Sequence, residues 1–562
     1  MAKLPYKLIQ RPGLDPAWHK YPGFNPRKTR ERGMIVERDV GVPMRDGVKL
    51  YADIFRPPGR KKVPALIAWS PYGKHIPYQY GVFVDNAGVK PSWISEYTAF
   101  ESPDPVYWTG HGYAVINVDI RGLLYSEGNG QFWCHDEGDD GYDAIEWIAA
   151  RNWCSGKVGM TGVSYLAIAQ WQIAAKRPPH LAAINPWEGL SDMYREFCFH
   201  GGIPELAFTP IWQKSVSYSR TQVEDVLEMM KEHPHFDKYW QTKIADFAEI
   251  DVPAYVVASW TDQGLHLRGT LEAYKRIASK HKWLEIHGRK KWQYYHQPES
   301  VEKQRVFFDR YLKDIDSGLK KWPKVRLEVR NKFYDGKFRN EKEWPLARTQ
   351  YKKLFLDARK GSMRAAPVKA KSKCAYEAYG DETRCPSAYA QERVQFDYRF
   401  RRATELTGPM KLRLWVEADG ADDMDIFVAV QKYDRRGNYV PMAAFNTMDD
   451  GPVALGWLRA SHRELDQKRS TPEQPWLKHK RRLKLKPGLP VAVEIEIWPS
   501  GTRFAAGEKL RIVVQGSDIY KYAKWIVRAG HPQTINNGSH IIHTGGKCDS
   551  HLLIPVIPSR PA

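Results

Sequence analysis

Ser164 stands in Gly162-Val163-Ser164-Tyr165-Leu166-Ala167, after a short apolar stretch, Val158-Gly159-Met160-Thr161, and before a helical run, Leu166 to Ala175, that stops ahead of Pro178-Pro179. Strand, tight turn, serine and helix in that order form the layout of a nucleophile elbow. The turn lifts the hydroxyl clear of a sheet, and the next backbone N–H, at a helix N-terminus, stabilises negative charge beside it. Gly162 leaves room for neighbouring backbone to approach. The second glycine of the usual G-x-S-x-G is absent, and a serine between strand and helix also serves as an N-cap. The assignment therefore depends on partners. A serine nucleophile needs a base within hydrogen-bond reach and a carboxylate to orient that base. A carboxylate stands just beyond a strand-like run in Ser259-Trp260-Thr261-Asp262-Gln263-Gly264, and a histidine follows the next run in Ile286-His287-Gly288-Arg289. Alone, Asp262 reads as a helix cap and His287 as structural. Behind an elbow serine, in the order serine, acid, histidine, they read as a catalytic set.

These residues need a scaffold. From about Ile35 to Asp314, apolar runs alternate with helical patterns, which indicates a mainly parallel α/β sheet. The candidate strands are 65–69, 114–118, 181–184, 255–258 and 283–286, so Asp262 and His287 fall at strand carboxyl ends, where such sheets place functional loops. Residues 1–35, rich in proline, arginine and lysine, form an arm. Residues 189–249 interrupt the alternation with helix-like sequence: Val223, Val226, Leu227 and Met230 share one helical face. This insertion reads as a cap over the site or as a packing helix. The sheet region is thus 36–188 and 250–315, closed by a helix near 301–312. From 316 to 562 the texture is all-β. Leu412, Leu414 and Val416, and Val493, Ile495 and Ile497, alternate with other residues, while 426–430 and 512–514 look buried on both faces. A two-sheet sandwich or jelly roll fits.

The chain has 562 residues, 42% hydrophobic and 13% aromatic, enough for several packed domains. The N-terminus lacks the apolar core of a signal peptide, and no window has the length of a membrane span. Six scattered cysteines, Cys134, Cys154, Cys198, Cys374, Cys385 and Cys548, suit free thiols in a reducing compartment and a cytoplasmic protein. The net charge of +21 is spread along the chain. Its densest run, Lys478 to Arg482, continues as Leu483-Lys484-Leu485-Lys486 and reads as a half-buried strand with a solvated face. It does not read as a nucleic-acid surface.

Several motifs in fixed order resemble the cocaine esterase and Xaa-Pro dipeptidyl-peptidase group of serine hydrolases, which includes α-amino-acid ester hydrolases and glutaryl acylases. They are Val42-Pro43-Met44-Arg45-Asp46-Gly47, Ser70-Pro71-Tyr72-Gly73-Lys74, Asp119 to Gly128, Ala144-Ile145-Glu146-Trp147-Ile148, Gly156 to Met160, and the elbow itself. The resemblance spans about Val36 to Pro558. It implies an α/β-hydrolase domain with an inserted helical cap, followed by a C-terminal jelly roll. By position, Ser164 matches the nucleophile and Asp262 the triad acid. Tyr72 matches a tyrosine whose hydroxyl shares the oxyanion hole with the backbone N–H of Tyr165. Asp119, Arg121 and Glu127 are expected to tie edge loops through ion pairs.

Two departures stand out. Ala167 replaces a usual glycine, and the family's Gly-Pro-Trp-x-His segment is missing. If Trp292 is the matching tryptophan, Tyr294 holds the histidine position. His287 is then the expected base, with His296 the alternative. His540, His543, Cys548 and His551 have zinc-like spacing, but His540 and His543 fall on opposite faces of a strand, so no metal is expected. The expectation is a cofactor-independent serine hydrolase that cleaves a small-molecule carboxylic ester or amide through an acyl-enzyme. It has no nucleic-acid or membrane partner and is compatible with a homo-oligomer. The alternatives are an Xaa-Pro-type peptidase, a β-lactam acylase, and a non-catalytic basic binding protein on the same scaffold.

Overall fold

The computed structural model describes residues 5–19, 22–75, 87–380, 392–444, 448–519 and 530–558. Nine strands of one sheet run between residues 34 and 332. They are β1 (Met34–Pro43), β2 (Lys49–Arg56), β3 (Val63–Ser70), β4 (Ala114–Asp119), β5 (Cys154–Val163), β6 (Leu181–Trp187), β7 (Ala254–Ser259), β8 (Lys282–His287) and β9 (Val325–Lys332). The spatial order is β1-β2-β4-β3-β5-β6-β7-β8-β9. The β1–β2 and β2–β4 pairs are antiparallel and the remainder parallel. Every residue of β3, β4 and β7 is buried, as expected of strands covered on both faces. On one face, Ile67, Ile116 and Met160 pack with Ile145, Ile148 and Ile173, from helices α1 (His135–Ala149) and α2 (Tyr165–Ala174). On the other, Leu66, Val115 and Val163 meet Phe307 and Phe308 of a later helix, Pro298–Leu312. The period-2 alternation of strand side chains thus splits the apolar residues between two cores.

Residues beyond β6 leave the sheet before β7 resumes it. This excursion holds helix α3 (Phe208–Ser215) and shorter elements. The single helical face expected through Val223 does not form. Val223 lies in a strand, Gln222–Glu224, and Asp225 caps the helix Val226–Glu232 by accepting from Glu228 N–H. An aspartate there breaks the run into strand and helix. The N-terminal arm is also more structured than its composition suggests. Gln10–Pro12 pairs with Gln222–Glu224, and Arg27–Glu31 extends the sheet edge beside β1.

In the second half, Thr404–Asp419 pairs with Val491–Phe504, Asn537–Thr544 and His551–Ile557. Lys509–Gln515 pairs with Asp425–Tyr433 and Arg393–Arg399. These antiparallel sets enclose one apolar core containing Leu412, Leu414, Val416, Val493, Ile495, Ile426, Val428, Ile512 and Val514. The basic run at 478–486 forms no strand. His479 adopts a left-handed φ of 53°, and the Leu483 and Leu485 N–H groups donate to Ser461 and Asp422 carbonyls. Five described cysteines are free thiols, and Cys385 lies outside the described residues. Among the described residues, no helix is long and apolar enough to cross a membrane.

Candidate active site

Ser164 sits between β5 and α2 with φ 61° and ψ −116°, a sparsely populated conformation for a residue with a side chain. Its N–H donates to Trp187 O at 2.9 Å, and the neighbouring Val163 N–H donates to Glu101 O at 3.2 Å. Gly162 is needed for this turn: a Cβ there would lie 2.5 Å from the Leu166 Cβ. Ala167 fits because it faces Gly189, whose own missing Cβ would stand 3.3 Å from that of Ala167.

The imidazole at Ser164 belongs to His266. Ser164 Oγ lies 3.0 Å from His266 Nε2, and His266 Nδ1 lies 2.7 Å from Asp262 Oδ2. Acid and histidine share the turn that links β7 to α4 (Leu267–Arg276), where Leu267 N–H donates to Asp262 O. Residues four apart in such a turn face one another. That i,i+4 spacing in Asp262-Gln263-Gly264-Leu265-His266 was the available sequence signal for His266. Both side chains are buried. Lys291 and His266 hold the Asp262 carboxyl well below the usual range against the cost of burial. Burial, with Lys291 nearby, lowers His266 to about 4 against the pull of Asp262.

His287, expected to reach Ser164, does not. It is the last residue of β8 and fully buried. Its Nε2 lies 3.1 Å from Glu188 Oε1, its Nδ1 accepts from Arg289 N–H at 3.2 Å, and its ring stacks on Tyr294 at 3.9 Å. Both nitrogens are engaged, and burial drives the ring to its neutral form. His296, the alternative base, ends helix α5 (Lys291–His296) and packs against Tyr295. Burial lowers it to about 3. Tyr294 hydrogen-bonds Glu285, and Trp292 Nε1 donates to Glu101 Oε1 at 2.9 Å.

Tyr72 follows β3, and its hydroxyl is buried on the side of Ser164 and Trp212. Burial raises it well above the ordinary phenol value, so it remains a neutral donor. Tyr165, the first residue of α2, presents its backbone N–H beside Ser164. Its side chain is anchored behind the elbow, where its hydroxyl donates to Glu137 Oε1 at 2.9 Å. Trp69 Nε1 and Trp133 N–H donate to the same carboxyl, which burial pushes up to about 7. Trp212 of α3 stacks on Trp133 at 4.8 Å and lies edge-on to Phe132 and Phe197, so the excursion after β6 supplies an aromatic wall.

Asp119 pairs with Lys74, Arg121 with Asp46 and Asp140, and Glu127 accepts from Lys49 N–H. Asp39, Asp53 and His75 bring potential ligand atoms within 4.8 Å of one another. The Lys74 ammonium, 2.9 Å from Asp39, already supplies the positive charge there. Near the C-terminus the zinc-like residues diverge: His540 bonds Tyr376, His543 bonds Glu417, and His551 Nδ1 lies on Asp549 O.

Comparison with known proteins finds relatives over most of the chain. Residues 46–225 match the X-Pro dipeptidyl-peptidase (S15 family), and residues 317–553 match the X-Pro dipeptidyl-peptidase C-terminal non-catalytic domain. A solved CocE/NonD family hydrolase from Staphylococcus aureus is 42% identical with a TM-score of 0.89, covering 93% of this chain and 94% of its own. The cocaine esterase of Rhodococcus sp. is 30% identical over 381 residues, which span 57% of this chain and 62% of the esterase. An α-amino acid ester hydrolase shares the fold at 18% identity and a TM-score of 0.72, covering 95% of this chain and 98% of its own.

Proposed function

The chain belongs to the CocE/NonD family of serine hydrolases, and on that premise we propose that it cleaves a carboxylic ester or amide through an acyl-enzyme on Ser164. The observation that carries this reading is the continuous chain Ser164 Oγ–His266 Nε2, 3.0 Å, and His266 Nδ1–Asp262, 2.7 Å. His266 takes the serine proton as Oγ attacks the carbonyl, then returns it to the departing alcohol or amine. Asp262 holds the tautomer that leaves Nε2 free to accept. The oxyanion is met by the Tyr72 hydroxyl and the Tyr165 N–H, donors fixed before substrate arrives. Water then repeats the sequence on the acyl-enzyme. None of these steps calls on a cofactor.

The strand order β1-β2-β4-β3-β5-β6-β7-β8, with an elbow after β5, supports an α/β-hydrolase domain over 36–188 and 250–315. Residues 189–249 then form a helical cap, and 316–562, largely antiparallel beyond β9, forms a jelly roll. The free thiols support a cytoplasmic setting. Amide cleavage after Xaa-Pro, which the S15 match favours, would use the same triad. Purified protein should react with a fluorophosphonate probe and hydrolyse simple aryl esters, and Ser164→Ala should lose both. Turnover surviving in folded Ser164→Ala would refute the assignment. Xaa-Pro anilides assayed in parallel separate esterase from peptidase.

A further inference from the structure

Lys291 opens α5 and is 3% exposed, yet its ammonium faces the back of the triad. Nζ lies 3.3 Å from Asp262 Oδ2 and 3.4 Å from His266 Nδ1. Two further carboxyls act on it: Glu101, from the loop that meets the elbow backbone, and Glu188, next after β6. Behind Glu188 stands His287 of β8, flanked by the cations of Arg289 and Lys303, and the Trp292 ring lies 5.1 Å from Nζ. Three carboxyls thus surround one ammonium where water is scarce. Burial favours their neutral forms, raising Glu101 to about 8 and Glu188 well above the ordinary range. Direct contact with Lys291 singles out Asp262 as the carboxylate that stays ionised.

We propose that Lys291 is a positioning residue of the triad, a buried cation that keeps Asp262 ionised and the His266 imidazole in its basic form into mildly acidic solution. This rests on the Ser164–His266–Asp262 reading above. Two physical effects act in the same direction. A cation 3.4 Å from the ring disfavours imidazolium. The same cation prevents the buried Asp262 from taking up a proton and losing its grip on Nδ1–H. Removing the charge should therefore move the acid limb of activity to higher pH by both routes.

The test uses the full chain and measures kcat/KM for an aryl ester, together with the rate of fluorophosphonate labelling, from pH 4 to 9. In Lys291→Met or Lys291→Gln, whichever folds, the acid limb should rise by about one pH unit or more, while Lys291→Arg should stay near wild type. A merely structural lysine would lower the amplitude and leave the midpoint in place, and that result overturns the proposal. Glu101→Gln removes a carboxyl without removing charge and should not move the limb. A shift there would make Lys291 the counter-ion of Glu101 instead, which also overturns it, and this arm holds even if both neutral lysine variants misfold. Failure of the underlying reading looks different: wild-type Ser164 would resist the probe at every pH, or His266→Ala would label at the wild-type rate.

Discussion

At the residue scale, the site depends on which nitrogen is free. His266 points Nε2 at Ser164 because Asp262 engages Nδ1, whereas His287 has both nitrogens occupied by Glu188 and the Arg289 N–H. His266→Ala should therefore cut kcat by about 10³-fold or more, and His287→Gln, which keeps hydrogen-bonding capacity, should retain most activity. Steady-state kinetics on the two variants decides between them, and the opposite ranking would return the base to His287. Tyr72→Phe removes one oxyanion donor while keeping the ring packed on Phe100 at 5.1 Å. Its loss should appear in kcat at roughly 10²-fold. A change confined to KM would make Tyr72 part of the pocket wall.

At the scale of elements, the strand–turn–helix around Ser164 is held under strain. Ser164, Glu101 and Glu188 all adopt left-handed φ values, between 51° and 62°, at three turns that abut the elbow. Backbone hydrogen bonds from Val163 to Glu101 and from Ser164 to Trp187 fix the geometry. Gly162→Ala would push a methyl to 2.5 Å from Leu166 Cβ at the first turn of α2. The expected outcome is a destabilisation of about 1–3 kcal/mol, read from the urea midpoint, with probe labelling slowed because the hydroxyl is displaced. Normal stability and labelling would show that the elbow is more tolerant than this packing implies.

At the scale of the whole molecule, the helix that follows His266 is tied to the C-terminal β region. Arg268 of α4 binds Glu196 at 2.7 Å and Glu496 at 2.9 Å, and all three are largely buried. From the same loop that carries Asp262, Gln263 Nε2 donates to Pro499 O, while Trp260 Nε1 donates to Glu328 O of β9. The β region therefore buttresses the loop that holds Asp262 and His266. Arg268→Met leaves two buried carboxylates without their partner, so a loss of about 3–5 kcal/mol is expected in chemical denaturation. Catalysis should fall with it, because α4 starts directly after His266. Unchanged stability would mean that water or other cations compensate.

The elbow at Ser164, the Asp262 carboxylate and the parallel sheet were legible in the sequence because each is local. An elbow is six consecutive residues, 65–69 and 255–258 are unbroken apolar runs inside the observed strands 63–70 and 254–259, and Asp262 follows its strand within three residues. The family motifs extended that reading to Tyr72 and the C-terminal region. Which imidazole lies beside Ser164 was not legible by strand order alone. His266 sits one turn beyond Asp262, and only the folded loop shows that this turn aims its ring at Ser164, 102 positions earlier in the chain. The Lys291 ammonium, the paired nitrogens of His287 and the left-handed φ of His479 that unmakes a strand-like run are likewise decided by tertiary contacts. Which hydrogen-bond partner or counter-charge a buried group meets depends on what packs against it, and those neighbours come from distant parts of the chain.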